Sequence, residues 1–299
     1  MATGLALFLL TLLNGVSYGL LLFMLSAGLT VIFSLMGVLN FAHASFYMLG
    51  AYLAYQLSAA LGFWLALLLA PLLVGLLGAL FQRYCLRRVQ RSGHVAEMLA
   101  TFGLSYLLLE LVQLLWGRAS LPWSLPPLLQ GPLWTLHGVQ FPRARAFIML
   151  VALAMFGLLW LLLVRTRAGL LLRAALTQPS MVQALGHDLP LLHTLVFGGG
   201  CALAALAGVL GGGSYVTEPA MAAALGPIVF VVVVVGGIGS LGGAFWAALL
   251  IGCLQTFAVA AEGRLWNVPL AQLAPLLPYL LLVLMLLWRP QGLRGAEGG

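Results

Sequence analysis

Long apolar stretches follow one another along most of the chain, separated by short polar segments. An α-helix needs about 20 mainly apolar residues to cross the roughly 30 Å hydrocarbon core of a bilayer. Inside lipid every backbone polar group must be hydrogen-bonded within the protein, and helices meet this demand. We therefore predict an all-α, polytopic integral membrane protein with about eight or nine transmembrane helices, near residues 5–33, 38–57, 62–82, 97–116, 146–164, 190–210, 226–236, 244–262 and 271–288.

One predicted span and one loop depart from this pattern. The apolar run at 226–236, within "GPIVFVVVVVGG", is too short to cross as a straight helix, so it is either a short span or a re-entrant segment. Residues 117–145 contain five prolines and two tryptophans, which predicts an irregular external loop resting at the membrane interface. That loop hides no soluble domain, and we predict a single transmembrane domain over 1–299.

Composition and charge support this class and orient the chain. Hydrophobic residues make up 63% of the 299 residues and charged residues only 6%, too few to cover a soluble domain of this size. All 13 basic residues are Arg, and the positive-inside rule puts the N-terminus outside and the C-terminus in the cytoplasm. Nine are predicted to be cytoplasmic, namely Arg83, Arg87, Arg88, Arg91, Arg165, Arg167, Arg173, Arg289 and Arg294, and four to be external, namely Arg118, Arg143, Arg145 and Arg264. Because these arginines are dispersed between spans, the net charge of +7 does not indicate nucleic-acid binding.

No residue pattern indicates catalysis. The three cysteines, Cys85, Cys201 and Cys253, are far apart and form neither a disulfide framework nor a metal-ligand pattern. A phosphate-binding Walker A loop needs a Lys, and the sequence has none. We therefore predict no catalytic residue, metal or cofactor, and if ATP drives transport here, another subunit hydrolyses it.

Polar residues cluster at the start of span two, in "NFAHASFYMLGAYLAYQ", residues 40–56. Gly37 ends the preceding helix, and Asn40 is a good N-cap for the next one. A lone His near the end of a span is often a hydrogen-bonded residue at the interface. His43 and Ser45 therefore have either this structural role or a role in a transport pathway.

Two glycine clusters and one acidic residue complete the set of unusual features. The cluster at 197–213 is best explained by close helix packing. The denser one at 235–245, around Ser240, predicts a helix break that is buried in protein or lines a cavity. Glu110 lies toward the outer end of span four, where it is either an interface carboxylate paired with Arg118 or part of a pathway.

Several segments together resemble one family. "NGVSYGLLLFMLSAGLTVIFSLMGVLNFAHASFYMLGAY" is similar to the N-terminal signature of the LivH-type permease subunits of branched-chain amino-acid ABC importers. "RTRAGLLLRAALTQPSMVQALGHD" resembles the cytoplasmic loop of that family, "VGGIGSLGGAFWAALLIG" its Gly-rich segment, and "LLLVLMLLWRPQGLRG" its closing helix and tail. These segments cover most of the chain in the expected order.

The resemblance implies an ATP-driven importer in the bacterial inner membrane that works by alternating access. Its partners would be a second, LivM-like permease, two cytoplasmic ABC ATPase subunits and a periplasmic substrate-binding protein, besides membrane lipid. The cargo would be a branched-chain amino acid or a related small solute, since related permeases carry urea or short amides. The alternative is a self-contained secondary transporter or channel, which would place ionisable groups at mid-membrane and often shows inverted repeats. A weak internal similarity between "NFAHASFYMLGAYLA" and "GSLGGAFWAALLIGC" is the one sign of such a repeat that the sequence offers.

Two sets of residues follow from these patterns as candidate functional sites. The start of span two and the Gly-rich break are predicted to face each other across the pathway, with Asn40, His43, Ser45 and Ser240 shielded from lipid. Aromatic residues in the wall would suit a cargo with an apolar side chain. The predicted pathway residues are Asn40, His43, Ser45, Phe46, Tyr47, Glu110, Gly239, Ser240 and Phe245.

The cytoplasmic loop at about 165–190 is predicted to contain a coupling helix. Pro179 suits a first helical position and Gly186 a C-terminal cap, so residues 179–185 should form an isolated helix of about two turns, roughly 10 Å long. We expect it to contact the ATPase through one apolar face made by Met181, Val182 and Leu185. The alternative is a surface turn that only connects two spans.

Overall fold

The fold is a bundle of helices, as the apolar pattern predicts, and the computed structural model describes residues 2–136, 139–261, 263–265 and 268–294. The helices are α1 (Ala2–Met36), α2 (His43–Leu61), α3 (Phe63–Phe81), α4 (Arg87–Val89), α5 (His94–Trp116), α6 (Arg143–Arg165), α7 (Arg167–Thr177), α8 (Pro179–Ala184), α9 (Leu189–Ser214), α10 (Met221–Gly236), α11 (Leu241–Ala260), α12 (Leu270–Leu273) and α13 (Leu277–Trp288). A π-helical turn at Gln82–Leu86 continues α3, and 3₁₀ turns occupy Gln90–Ser92, Pro127–Leu129 and Ala274–Leu276.

Each of the nine predicted spans corresponds to a helix in the described part of the chain. Seven helical stretches there are long and apolar enough to cross a membrane, by length and composition alone. The two predicted spans outside that set are α2 and α10. Helix α2 has 19 residues with polar side chains along its length, and α10 has 16 residues, about 24 Å of helix. This confirms an all-α membrane protein that includes one short segment.

Helix α1 is the centre of the bundle. It contacts α6, α9, α10 and α11, and its middle section from Leu20 to Leu25 is buried. Helix α9 is the second buried helix, because α1, α2 and α3 all pack against it. By contrast, α3, α5, α6 and α13 carry most of their leucines on the outside, where lipid or a partner subunit can cover them.

Glycines let the central helices approach each other closely. A Cβ at Gly208 of α9 would overlap the Tyr47 carbonyl of α2, and one at Gly252 of α11 would overlap the backbone of Gly19 in α1. A Cβ at Gly50 would lie 2.5 Å from the Ala205 Cα. Small residues drive close packing in membranes because lipid offers no hydrophobic force between helices. The packing role predicted for the 197–213 cluster is therefore confirmed.

The loops contain more regular structure than their sequences suggest. In the external loop, β1 (Pro132–Leu136) and β2 (Val139–Pro142) form an antiparallel hairpin, on which Trp134 stacks against Phe141. The prediction of a wholly irregular loop is therefore wrong, because cross-strand aromatic pairing stabilises a hairpin. A second, shorter hairpin joins β3 (Arg264–Leu265) to β4 (Val268–Pro269). Residues 137–138 of the loop and the predicted end of span eight at residue 262 lie outside the described residues.

The C-terminal tail closes the C-terminal end of α10. The Leu293 N–H donates to the Val235 carbonyl at 2.9 Å, and the Arg294 N–H donates to the Gly236 carbonyl at 3.1 Å. Gly292, with φ +80°, packs directly on Gly237. These bonds satisfy carbonyls that a helix C-terminus leaves without partners.

Replacing Gly208 with Val should destabilise the bundle, because the added carbons cannot fit beside the Tyr47 carbonyl. Overpacking of this kind costs about 1–3 kcal/mol, so the midpoint of thermal unfolding in detergent should fall. Gly199→Val is the matched control on the same helix, since a Cβ there meets nothing within 4 Å. Equal midpoints for the two variants would contradict the close α2–α9 contact.

Candidate functional site

A non-helical segment, residues 37–42, returns the chain from the end of α1 to the middle of the bundle. It starts at Gly37, with φ +67°, and ends where α2 begins at His43. The His43 Nε2 lies 2.8 Å from the Leu25 carbonyl oxygen. Leu25 precedes the end of α1 by eleven residues, about 16 Å along the helix axis. Helix α2 therefore begins deep in the bundle, five residues later than the predicted boundary.

Side chains satisfy the backbone of this segment. The Ala42 N–H donates to the Asn40 Oδ1 at 3.1 Å, and the His43 N–H donates to the Asn40 carbonyl at 3.2 Å. The Phe41 N–H donates to the Thr101 hydroxyl of α5 at 3.3 Å. The prediction that Asn40 is the N-cap of α2 is wrong: Ala42 holds that position, and Asn40 forms a tight turn just before it.

His43 is a buried structural donor. Only 1% of it is exposed, and its ring lies beside Gly28 of α1, which in turn packs on the Gly200 carbonyl of α9. Because a carbonyl can only accept, Nε2 must carry the proton. Asn40 and Ser45 are buried as well, whereas Ser240, which was grouped with them in the prediction, is only partly buried.

A groove of about 450 Å³ lies where the start of α2 meets α5 and α10. Its wall is largely apolar, with hydroxyls from Ser45, Ser105 and Tyr106. The Ser45 hydroxyl lies 3.4 Å from the Ser105 carbonyl, and the rings of Phe41 and Phe230 are 5.1 Å apart. The lining residues are Phe41, Ala44, Ser45, Phe102, Ser105, Tyr106, Leu109, Ala222, Ala223, Gly226, Pro227 and Phe230.

Of the predicted pathway residues, only Ser45 lines this groove, while Asn40 and His43 support it from behind. Phe46 and Tyr47 are buried on the side of α2 that faces α9. The Phe46 ring makes an edge contact with Phe197, and the Tyr47 hydroxyl abuts Gly211. Successive residues of a helix point about 100° apart, so adjacent aromatic residues cannot all share the face of Ser45.

The Gly-rich break is not brought together with the start of α2. Gly239, with φ +86°, lies against Ser34, which is nine residues, about 13 Å, beyond Leu25 on α1. Ser240 is half-buried and caps α11 by accepting from the Gly243 N–H at 3.1 Å. The break lies at the end of the bundle where α1 ends, and the C-terminal tail binds it there.

Phe245 and Glu110 also lie away from the groove. The Phe245 ring stacks on Phe156 at 4.6 Å, and Glu110 is exposed on α5. Within the described part of the chain no ion pair joins Glu110 to Arg118, although both line one shallow surface depression.

The polar residues of α5 that bear on this site were not predicted. The Thr101 hydroxyl accepts a hydrogen bond from the non-helical segment, and Ser105 and Tyr106 line the groove. Polar residues spaced four apart in "TFGLSY" were a signal for one helix face. Nearer the start of α5, Glu97 is a buried carboxylate that accepts a hydrogen bond from His94 at 3.1 Å.

The short helix predicted in the cytoplasmic loop is present as α8, Pro179–Ala184, with Pro179 at its start and Gly186 at φ +86° just beyond it. A longer helix that was not predicted, α7, precedes it. The predicted single apolar face is wrong. Met181 and Leu185 are 59% and 78% exposed, whereas Val182 is 3% exposed, because it points about 100° away and packs inward.

The fold is that of a polytopic, all-α membrane protein, and comparisons with known proteins specify its family. Residues 11–286 match the family described as "Branched-chain amino acid transport system / permease component". The chain is 31% identical to the high-affinity branched-chain amino acid transport system permease protein BraD of Pseudomonas aeruginosa, over 95% of this chain and 94% of that protein. It is 29% identical to the corresponding protein LivH of Escherichia coli K12, over 96% of each.

The chain therefore belongs to this family of permease components, which confirms the resemblance read from its motifs. It is the multi-pass, inner-membrane permease subunit of an ABC importer, and it works with other subunits. Among solved structures, a chain of PsaBC from Streptococcus pneumoniae in complex with Fab has a TM-score of 0.49 and 16% identity, over 93% of this chain and 91% of that one.

Cysteine labelling should distinguish the groove from the core. In a Cys85→Ser background, which removes the exposed native thiol, Ser45→Cys should react with a small methanethiosulfonate reagent, because Ser45 lines the groove. Ser26→Cys should stay unmodified, since Ser26 is fully buried inside α1. Labelling is read as a mass shift of the intact protein. Equal labelling of the two variants would contradict the assignment of the groove.

Proposed function

We propose that this permease moves branched-chain, hydrophobic amino acids across the inner membrane through the groove between α2, α5 and α10. The observation that carries the proposal is an apolar cavity with a few hydroxyls beside the deep start of α2. Ligand sites combine such walls with a few placed polar groups. The relatives BraD and LivH are named as permeases of branched-chain amino acid transport systems, which supports the cargo.

The groove also favours an ATP-driven importer over a self-contained secondary transporter. Ion-coupled transporters place ionisable groups at the membrane midplane. Among the described residues that line the groove there is no carboxylate and no basic side chain. An importer that takes its energy from ATP needs no such ion site, and alternating access then opens the groove to each side in turn.

We propose that the groove is completed by partners. It is open on the outer surface of this chain, so a second, LivM-like permease would cover it and supply the opposite wall. Two cytoplasmic ABC ATPase subunits would drive the cycle, and a periplasmic binding protein would deliver the cargo. The arginine segments support an orientation with the N-terminus outside and the C-terminus in the cytoplasm. The cluster Arg83, Arg87, Arg88 and Arg91 lies together at the inner end of α3.

In this orientation α8 faces the cytoplasm and is our candidate coupling helix. Its exposed Met181 and Leu185 share one face at i and i+4, which suits an apolar contact with the ATPase. Val182 anchors the helix to the permease from the other side. Gly186 turns the chain back toward α9.

Filling the groove should block transport. Ala223→Trp puts an indole into the cavity, whereas the adjacent and equally exposed Ala224 does not line it, so Ala224→Trp is the matched control. In proteoliposomes with all partner subunits, ATP-driven leucine uptake should fall about tenfold or more for Ala223→Trp, with assembly intact, and should change little for Ala224→Trp. Uptake by this chain without partners would contradict the importer mechanism.

Gly186→Val should uncouple the permease from its ATPase, because a β-branched residue is strained at φ +86° and would displace α8. The variant should reach the membrane but retain less ATPase on purification and transport more slowly. Gly131→Val is the control, since Gly131 has φ +82° and equally open surroundings in the external loop. If both variants transport normally and retain ATPase, the coupling contact lies elsewhere.

A further inference from the structure

A second cavity, of about 350 Å³, lies at the outer end of the bundle and shares no lining residue with the groove. Its walls come from the first half of α1, the start of α6, the residue after α9, the last turns of α11 and the α12 region. No function described above uses it. Unlike the groove, it contains strongly polar groups of two opposite kinds.

Two buried amide oxygens at this cavity have no hydrogen-bond donor within the described part of the chain. Gln255 is only 9% exposed, and its Nε2 donates to the Ala274 carbonyl at 3.4 Å, which leaves its Oε1 buried and unpaired. The Asn14 Oδ1 is buried and unpaired in the same way. A buried acceptor without a donor costs about 1–3 kcal/mol, so both oxygens call for a ligand that donates.

The third polar group is Arg145, a donor. The Ser17 hydroxyl donates to its backbone carbonyl at 3.4 Å, which fixes the start of α6 against α1. Arg145 lines the cavity beside Tyr215. Burial raises the pKa of the Tyr215 phenol, and the Arg145 guanidinium acts in the opposite direction. A guanidinium has five N–H donors and no acceptor, and it pairs best with a carboxylate or phosphate.

We infer that this outer cavity binds a free amino acid as a zwitterion before it enters the groove. The α-carboxylate would pair with Arg145, and the α-ammonium would donate to the amide oxygens of Asn14 and Gln255. Val259 and Pro275 would contact an apolar side chain. This inference rests on the proposed amino-acid cargo and adds where that cargo is first recognised.

Only a ligand with both a negative and a positive group would pair with Arg145 and also donate to the amide oxygens of Asn14 and Gln255. A simple anion would leave the two amide oxygens unpaired, and a simple amine would face an uncompensated guanidinium. The headgroup of phosphatidylethanolamine carries the same two charges as a zwitterionic amino acid. The experiment must therefore distinguish a free amino acid from a phosphatidylethanolamine headgroup as the ligand of the cavity.

The test is equilibrium binding of radiolabelled leucine to the assembled permease–ATPase complex, without binding protein or nucleotide. The complex is held in nanodiscs of phosphatidylcholine and phosphatidylglycerol and carries Ala223→Trp, so that the groove is filled. Leucine should bind, and unlabelled leucine should displace it. Leucinamide, which lacks the carboxylate, and 4-methylpentanoate, which lacks the ammonium, should each compete at least about tenfold more weakly, because each loses charge-assisted hydrogen bonds.

Variants assign each charge to its partner. Arg145→Gln should weaken leucine binding about tenfold or more but leave the weaker binding of leucinamide unchanged, and Arg145→Lys should restore part of the difference. Gln255→Leu should weaken the binding of leucine but not the binding of 4-methylpentanoate. Arg143→Gln is the matched control, since Arg143 is exposed on the same helix and does not line the cavity. A merely structural role for these residues would weaken all ligands together.

Three results would overturn the inference. The first is that leucine does not bind, and the second is that it binds equally well to Arg145→Gln and Arg143→Gln. If instead phosphatidylethanolamine added to the nanodiscs is retained in an Arg145-dependent way and leucine does not displace it, the cavity is a lipid headgroup site. ATP-driven leucine uptake by the complete wild-type complex shows whether only the outer-cavity inference fails or the proposed transport function fails as well. Uptake that persists leaves the proposed function standing, whereas its absence refutes both.

Discussion

The structure depends on satisfying the backbone of six residues that leave the helical conformation deep inside the bundle. Non-helical backbone survives at membrane depth only when protein groups replace its helical hydrogen bonds. Here Asn40 closes a turn on Ala42, and Thr101 accepts from Phe41. His43 then ties the first residue of α2 to the Leu25 carbonyl of α1. These bonds allow α2 to start about 16 Å inside the end of α1 instead of level with it.

The groove follows from this late start. A helix that begins deep in the bundle leaves space beside its first turn, and the side chains of α5 and α10 border that space. The tight glycine contacts behind α2 hold it against α9, so the space opens on the opposite side. The C-terminal tail closes the end of α10, and Met181 and Leu185 at α8 are exposed.

Much of the fold could be predicted because apolar periodicity and length determine which segments can cross lipid. The short helix at Pro179 and the break at Gly239 were also predictable, since proline and positive-φ glycine have local conformational causes. The groove itself was not predictable. The depth of His43 depends on a contact with a residue 18 positions earlier, and local sequence does not encode which helix face meets which neighbour. For the same reason Phe46 and Val182, both predicted to be at functional surfaces, are buried.

The account is tested most directly by photo-crosslinking a diazirine analogue of leucine in the assembled transporter during ATP-driven uptake, with the labelled residues mapped by mass spectrometry. We expect labels between Phe41 and Ser45, between Ser105 and Leu109 on α5, and between Ala222 and Phe230 on α10, and excess leucine should remove them. Labels confined to the break at Gly239–Ser240 or to the lipid-facing side of α3 would contradict a pathway built on the deep start of α2.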